Sequence, residues 1–249
     1  MRELIRCWQH TRMIVLIGLS AALFVAVLLP FKIATLVPGI TEIRPAAALP
    51  IIFSVFFGPA AAWGAAFGNT IGDVLGGTIG PGTIFGFFGN FIYAFIPYRM
   101  MRAAGISINQ PFTAKGWAVF LFSIVIASAF CGAIIALGVD FVGIVPFQFL
   151  MHTIFLNNVL VSSILAPILV RALQKRVWQM KFSYTQILKP EDVSSPVLKF
   201  AGAFVATALL VIVYIVLVFP SFLPMAPQNI KLFELIASIV LTLAALILF

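Results

Sequence analysis

The chain has 249 residues, of which 63% are hydrophobic and only 9% are charged, and its mean hydropathy is +1.17. An ordinary soluble domain carries about 25% charged residues, so this composition excludes a soluble fold and makes lipid the solvent for most of the chain. We attribute the net charge of +8 to membrane topology rather than to nucleic-acid binding. Long continuous apolar runs, without the alternation of barrel strands, predict an all-α polytopic membrane protein.

Eight apolar segments predict membrane-spanning helices, judged against the ~20 residues that cross the hydrocarbon. In chain order they are Met13–Phe31, Ala46–Phe57, Pro59–Gly77, Thr83–Met101, Lys115–Leu137, Phe147–Arg171, Val197–Phe219 and Lys231–Phe249. The second is too short to cross alone, and Gly58-Pro59 separates it from the third. We interpret this pair as a tight helical hairpin; a half-span buried among other helices is the alternative.

The polar stretch 174–196 divides the chain into a six-helix part, 1–173, and a two-helix hairpin, 197–249. We expect the stretch to be a basic cytoplasmic loop. Its first part, 174–188, is interpreted either as an amphipathic segment on the inner leaflet or as a solvated loop. The first alternative is favoured by the attraction of basic residues to anionic lipid.

The distribution of basic residues predicts the orientation. Of the 15 lysine and arginine residues, all but Lys32, Arg44 and Lys231 fall in cytoplasmic segments if the N-terminus is inside and eight crossings follow. Cytoplasmic loops carry an excess of such residues, so the count also supports the short second span. We therefore expect a multi-pass protein of a prokaryotic inner membrane with a cytoplasmic N-terminus.

Polar residues inside a membrane cost free energy, and their positions suggest a binding pocket. The topology places polar groups of the third, fourth and sixth segments in the outer half of the bilayer, beneath the loop 32–45. Asparagines that serve only as interhelical hydrogen bonds are the alternative. The predicted pocket residues are Glu42, Arg44, Asn69, Asp73, Asn90, His152 and Asn157.

Small residues recur at intervals of four in two segments. The series Gly64, Gly68, Gly72 and Gly76 predicts either close packing of the third segment against the fourth or close approach of backbone to a ligand. In the first segment, Gly18, Ala22 and Ala26 form a second stripe, which suits contact with a partner protein.

Enzyme signatures are absent from the sequence. It contains no HExxH, no Gly-x-Ser-x-Gly and no Walker lysine motif, and its two cysteines and two histidines do not have metal-ligand spacing. We therefore predict no catalysis, no cofactor and no metal. Cys131 is expected to be a packing residue, and Cys7, in the basic N-terminal segment, is a packing residue or a lipidation site.

The six-helix part resembles the substrate-binding S component of energy-coupling factor (ECF) transporters. The resemblance lies in a basic N-terminus, the first helix IVLIGLSAALFVAVLLP, and the run EIRPAAALPIIFSVFFGPAAAWGAAFGNTIGDVLGG. In that family a short second helix is followed by a Gly-Pro turn, and a Gly-rich third helix ends in Gly-Asp. The likeness covers about residues 12–173, and the terminal hairpin with its basic loop departs from the pattern.

The resemblance implies an outward-facing pocket for a vitamin-like solute, lined partly by the first loop. It also implies docking, through the small residues of the first helix, onto a transmembrane T component driven by two ATPases. The alternatives are a self-sufficient secondary transporter, with Asp73 or His152 carrying a proton, and a structural or assembly membrane protein. A membrane enzyme ranks below both.

Overall fold

The computed structural model describes residues 2–33, 44–109, 112–189, 192, 199–218 and 227–249, and every regular element within these ranges is helical. Short 3₁₀ turns at Cys7–Gln9 and Pro45–Ala47 lie between the α-helices. The α-helices are α1 (Arg2–Arg6), α2 (Thr11–Ile33), α3 (Ala48–Phe57), α4 (Pro59–Leu75), α5 (Pro81–Ala103), α6 (Ala114–Phe141), α7 (Phe147–Gln179), α8 (Tyr184–Ile187), α9 (Lys199–Val218) and α10 (Pro227–Leu248).

Four stretches are long and apolar enough to cross a membrane within the part of the chain that the structure describes. They are Thr11–Phe31, Ala114–Phe141, Phe147–Ile187 and Asn229–Ile247, with Pro45–Phe57 and Phe204–Val218 as shorter apolar helices. An all-helical membrane protein is therefore confirmed, whereas the number of crossings stays a prediction. The main difference from the expected bounds is that α7 continues to Gln179, so the start of the predicted basic loop is helical.

The break at Gly58 is where the sequence places it. Gly58 has φ +53°, a left-handed conformation that glycine adopts without steric cost, and Pro59 is the first residue of α4. A Cβ atom at Gly58 would lie 2.6 Å from the ring of Tyr184, so α8 packs directly against this turn. The short α3 is almost completely buried and packs on α7, α5 and α4. The residues after the first loop thus form an interior helix rather than a surface one.

The glycine stripe of α4 packs against α2. Cβ atoms at Gly68 and Gly72 would lie 2.8 and 2.6 Å from the side chains of Phe24 and Leu28. The expected packing of α4 on α5 is present, with Gly86 against the Asn69 amide, but the glycine stripe itself faces α2. The opposite face of α2, which carries Gly18, Ala22 and Ala26, is exposed.

The terminal hairpin packs onto the six-helix part. Helix α10 lies along α6, with Ala237, Leu241 and Ala245 buried between them and Ser238 Oγ donating to the carbonyl of Ile134 at 3.2 Å. Helix α9 lies outside α10 and also contacts α6 and α7.

A buried ion pair joins three distant parts of the chain. Glu3 of α1 is fully buried against the guanidinium of Arg99 near the end of α5, and Arg102 lies 4.0 Å from the same carboxylate. Arg99 Nε also donates to the carbonyl of Phe249 at 2.6 Å, and its guanidinium lies 5.6 Å from the Phe95 ring centroid. The ends of α1, α5 and α10 therefore meet at one side of the bundle.

The same side holds a second ion pair. Asp192 accepts from Arg6 Nη1 at 2.8 Å and lies 3.2 Å from His10 Nε2. The hydrogen bond from Arg6 lowers the pKa of Asp192, because it stabilises the charged carboxylate. This contact connects the segment after α8 to the N-terminal segment.

We expect both cysteines to resist alkylation in the folded protein. Cys7 is fully buried and donates to the carbonyl of Leu4, and burial raises the pKa of its thiol to about 12, so the reactive thiolate is scarce at neutral pH. Cys131 is also buried. Maleimide at pH 7.5 should label both cysteines slowly in the native protein and rapidly in the denatured protein. Mass spectrometry measures the number of labels on each. Trp8→Cys, at a 40% exposed neighbouring position, is the matched control and should label rapidly. Rapid native labelling at Cys7 would instead favour the lipidation interpretation.

Candidate substrate-binding site

One group of polar side chains lies between α4 and α5. Asn69 Nδ2 donates to Asp73 Oδ2 at 3.3 Å, and Asp73 Oδ1 accepts from Thr78 Oγ1 at 3.4 Å. A Cβ atom at Gly86 would lie 2.6 Å from Asn69 Nδ2, so the absence of a side chain on α5 makes room for this amide. Asn90, one turn further along α5, donates to the carbonyl of Gly86 at 2.9 Å. We call Asn69, Asp73 and Asn90 the α4–α5 polar group.

A second group lies where the first loop returns to the bundle. The backbone N–H of Arg44 donates to Asn157 Oδ1 of α7 at 3.0 Å. Ser162 Oγ donates to the carbonyl of Ala47 at 3.1 Å and lies 2.7 Å from the Tyr93 hydroxyl of α5. Two side chains of α7 thus hold the 3₁₀ turn Pro45–Ala47 in place. We call this contact region the loop exit.

Further polar residues beneath the loop exit were not among the predicted pocket residues. The Asn158 side chain and the Cys131 thiol are both buried. Ser128 of α6 is also buried, and its hydroxyl donates to the carbonyl of Ile124 at 2.7 Å. The sequence contains a signal for part of this group, because Asn158 and Ser162 are four residues apart and so share one face of a helix.

His152 lies elsewhere, at the contact between α7 and α9. Its Nδ1 is 2.5 Å from the carbonyl of Gln148 and its Nε2 is 2.9 Å from the Tyr214 hydroxyl. A carbonyl can only accept, so Nδ1 donates to Gln148, and Nε2 forms the second hydrogen bond with the Tyr214 hydroxyl. Both ring nitrogens are therefore occupied within the protein.

The predicted pocket residues fall into three places. Asn69, Asp73 and Asn90 share the α4–α5 interface, Arg44 and Asn157 meet at the loop exit, and His152 contacts α9. Both of the first two groups border α5, where Asn90 and Tyr93 are three residues apart. Glu42 lies outside the described residues.

The arrangement offers hydrogen-bond donors and acceptors together with one carboxylate and one guanidinium. Within the described residues there is no cluster of three or more potential metal ligands among histidine, cysteine, aspartate and glutamate. These side chains suit the binding of a polar solute.

A comparison with protein families identifies the family of this chain. A family model described as "QueT transporter" matches residues 14–175. The chain belongs to the QueT transporter family. QueT proteins are substrate-binding S components of ECF transporters, so the resemblance of the six-helix part is confirmed. QueT is a family of transporters and not of enzymes, which agrees with the predicted lack of catalysis.

The match ends within α7. The QueT region contains both polar groups and the stripe of α2, whereas α9 and α10 lie beyond it. Neither the curated proteins nor the solved structures contained a significant match to this QueT family member.

Proposed function

We propose that this chain is the substrate-binding subunit for high-affinity uptake of a vitamin-like small molecule, and that the solute is a queuosine precursor. The observation that supports this most is the QueT match over residues 14–175, which contains both polar groups. Uptake is driven by a T component with its two ATPases, as is general for S components.

The pocket we propose combines the α4–α5 polar group with the loop exit. Asp73 receives a donor or cationic group of the solute, Arg44 receives an acceptor or anionic group, and Asn69, Asn90 and Asn157 supply amide contacts. Glu42, two positions before Arg44 in the sequence, stays a predicted ligand of the solute. The Tyr93–Ser162 contact beneath Ala47 gives the pocket a rigid floor.

The alternative of a self-sufficient proton-coupled transporter has less support. His152 was one of its two candidate proton carriers, and both of its ring nitrogens are engaged by Gln148 and Tyr214. The other candidate, Asp73, is hydrogen-bonded by Asn69 and Thr78.

The docking surface we propose is the exposed face of α2. Gly18, Ala22 and Ala26 lie on this face, and a Cβ atom at Gly18 would have no heavy atom within 4 Å. Small residues let a partner helix approach closely, and the opposite face of α2 is already occupied by α4.

We propose eight crossings of a prokaryotic inner membrane with the N-terminus in the cytoplasm. The contacts of Arg99 with Glu3 and Phe249 support this topology. In an eight-crossing protein, four crossings lie between Glu3 and Arg99 and four more between Arg99 and Phe249. Each even number returns the chain to the same side of the membrane. The excess of basic residues on that side assigns it to the cytoplasm.

The binding of a radiolabelled queuosine precursor to the purified protein tests the proposal. We expect Asp73→Asn to lower the affinity by about tenfold or more, because hydrogen bonds to charged groups contribute about 1.5–3 kcal/mol. Gly86→Ala should also weaken binding, since its methyl group would displace the Asn69 amide.

The matched control is Asn109→Ala, at an exposed position in the turn after α5, which should bind like the wild type. A wild-type protein that binds no queuosine precursor would refute the substrate assignment. Equal affinity of wild type and Asp73→Asn would instead refute the proposed pocket.

A further inference from the structure

The terminal hairpin lies outside the QueT match but is attached to the corner between α6 and α7. Lys231 Nζ of α10 is 2.5 Å from Asp140 Oδ1 near the end of α6, and 3.2 Å from Glu234 Oε2 of its own helix. The other oxygen of Asp140 accepts the backbone N–H of Phe147 at 2.7 Å. Phe147 is the first residue of α7, whose N-terminal amides lack partners within the helix. Asp140 therefore links α10 to the start of α7.

Helix α9 holds the next turns of α7. Gln148 Nε2 donates to the carbonyl of Leu217 at 3.4 Å, and the Tyr214 hydroxyl is hydrogen-bonded to His152 Nε2 at 2.9 Å. The rings of His152 and Tyr214 meet edge to face with centroids 5.9 Å apart. Since Nδ1 of His152 is fixed by Gln148, the imidazole presents Nε2 to Tyr214 in one defined orientation.

The same helix carries the residues of the loop exit. Asn157 lies five positions after His152, an axial rise of about 7.5 Å, and Ser162 follows five positions later. An α-helix transmits a displacement of its first turns to the next ones, because its backbone hydrogen bonds are continuous. A shift at the start of α7 would therefore move the acceptor of the Arg44 N–H and the donor to Ala47.

We propose that the terminal hairpin is a positioning element of the substrate-binding site. Tyr214 and Lys231 fix the outer end of α7, and α7 in turn fixes the loop exit that retains the bound solute. His152 acts as a positioning residue that connects α9 to α7, not as a residue that contacts the ligand. The effect on retention rests on the proposed function, whereas the effect on the loop exit does not.

Two variants remove the contacts with little change of shape. Tyr214→Phe keeps the ring but removes the hydroxyl, and Lys231→Met removes the charge that Asp140 faces. Loss of one hydrogen bond predicts about fivefold faster dissociation of a radiolabelled queuosine precursor from Tyr214→Phe. Lys231→Met should act in the same direction, and Lys231→Arg should restore the wild-type rate. Tyr184→Phe, which removes a hydroxyl at the opposite end of the bundle, is the matched control and should dissociate like the wild type.

Hydrogen exchange of the ligand-free protein separates this proposal from the proposed function. We expect Tyr214→Phe to raise amide exchange both in 147–158 and in 44–48, even if the wild type binds no queuosine precursor. Exchange that stays at the wild-type rate in 44–48 would overturn the proposal. So would a strong further loss of binding when His152→Ala is added to Tyr214→Phe, since that would show direct contact of His152 with the ligand.

Discussion

The variant Ala22→Leu should bind substrate normally and lose ATP-dependent uptake almost completely. Ala22 is exposed on α2, so a leucine there meets only lipid in the isolated protein and leaves the fold unchanged. Closely packed membrane helices require small residues at their contact, so the larger side chain would hold a T component away. Uptake into cells and co-purification of the T component are the measurements.

The control for this variant is Ala172→Leu, a substitution of the same size at an exposed position of α7 away from the stripe. It should leave both uptake and co-purification unchanged. Normal uptake by Ala22→Leu would show that the exposed face of α2 is not the docking surface. Loss of substrate binding would show that the variant acts on the pocket instead.

Removal of Arg99 should produce the largest loss of stability. Arg99→Met leaves the fully buried carboxylate of Glu3 without its nearest cation, and breaking one side of a buried ion pair costs about 3–5 kcal/mol. Arg102, 4.0 Å away, compensates only in part. Thermal unfolding in detergent should show a markedly lower midpoint for this variant.

The double variant Glu3→Gln, Arg99→Met provides the decisive comparison. Removing both charges eliminates the unpaired carboxylate, so this protein should recover most of the lost stability. Arg102→Met, at the more exposed arginine, should be much milder than Arg99→Met. If the double variant is as unstable as Arg99→Met, the loss comes from the contacts of Arg99 with Phe249 and Phe95 rather than from the buried charge.

Helix positions followed from the sequence because lipid imposes a simple rule on them. A chain that must satisfy its own backbone in hydrocarbon forms long apolar helices, and these are visible as α2, α6 and α10. The break before α4 was equally visible in the sequence. Gly58 can adopt the left-handed conformation that ends a helix, and Pro59 suits the first turn of the next one.

The partner of each helix face did not follow from the sequence. The spacing of Gly64, Gly68 and Gly72 indicates that they share one face, but any neighbouring helix with a suitable surface could pack there. The structure selects α2, where Phe24 and Leu28 meet the glycines. A periodic pattern gives an orientation around one helix axis and contains no information about the second helix.

The candidate site shows the same limit. Helix direction and rise led to the prediction that His152 and Asp73 both lie in the outer half of the bilayer, in one pocket. The direction in which a side chain points around its helix axis does not follow from its depth. In the structure His152 points towards Tyr214 of α9. The ion pair of Glu3 with Arg99 was also missed, because the two residues lie 96 positions apart and each has ordinary sequence neighbours.

The burial of α3 has a consequence for how the protein is made. With ten residues this helix is about 15 Å long, half the thickness of the hydrocarbon, so lipid alone cannot shelter its ends. Two of the helices that enclose it, α5 and α7, follow it in the sequence and leave the ribosome later. During synthesis α3 must therefore stay bound to the translocation machinery or to an insertase until α7 has entered the membrane. Biogenesis of this protein should depend on such assistance more strongly than that of a bundle built only from full-length spans.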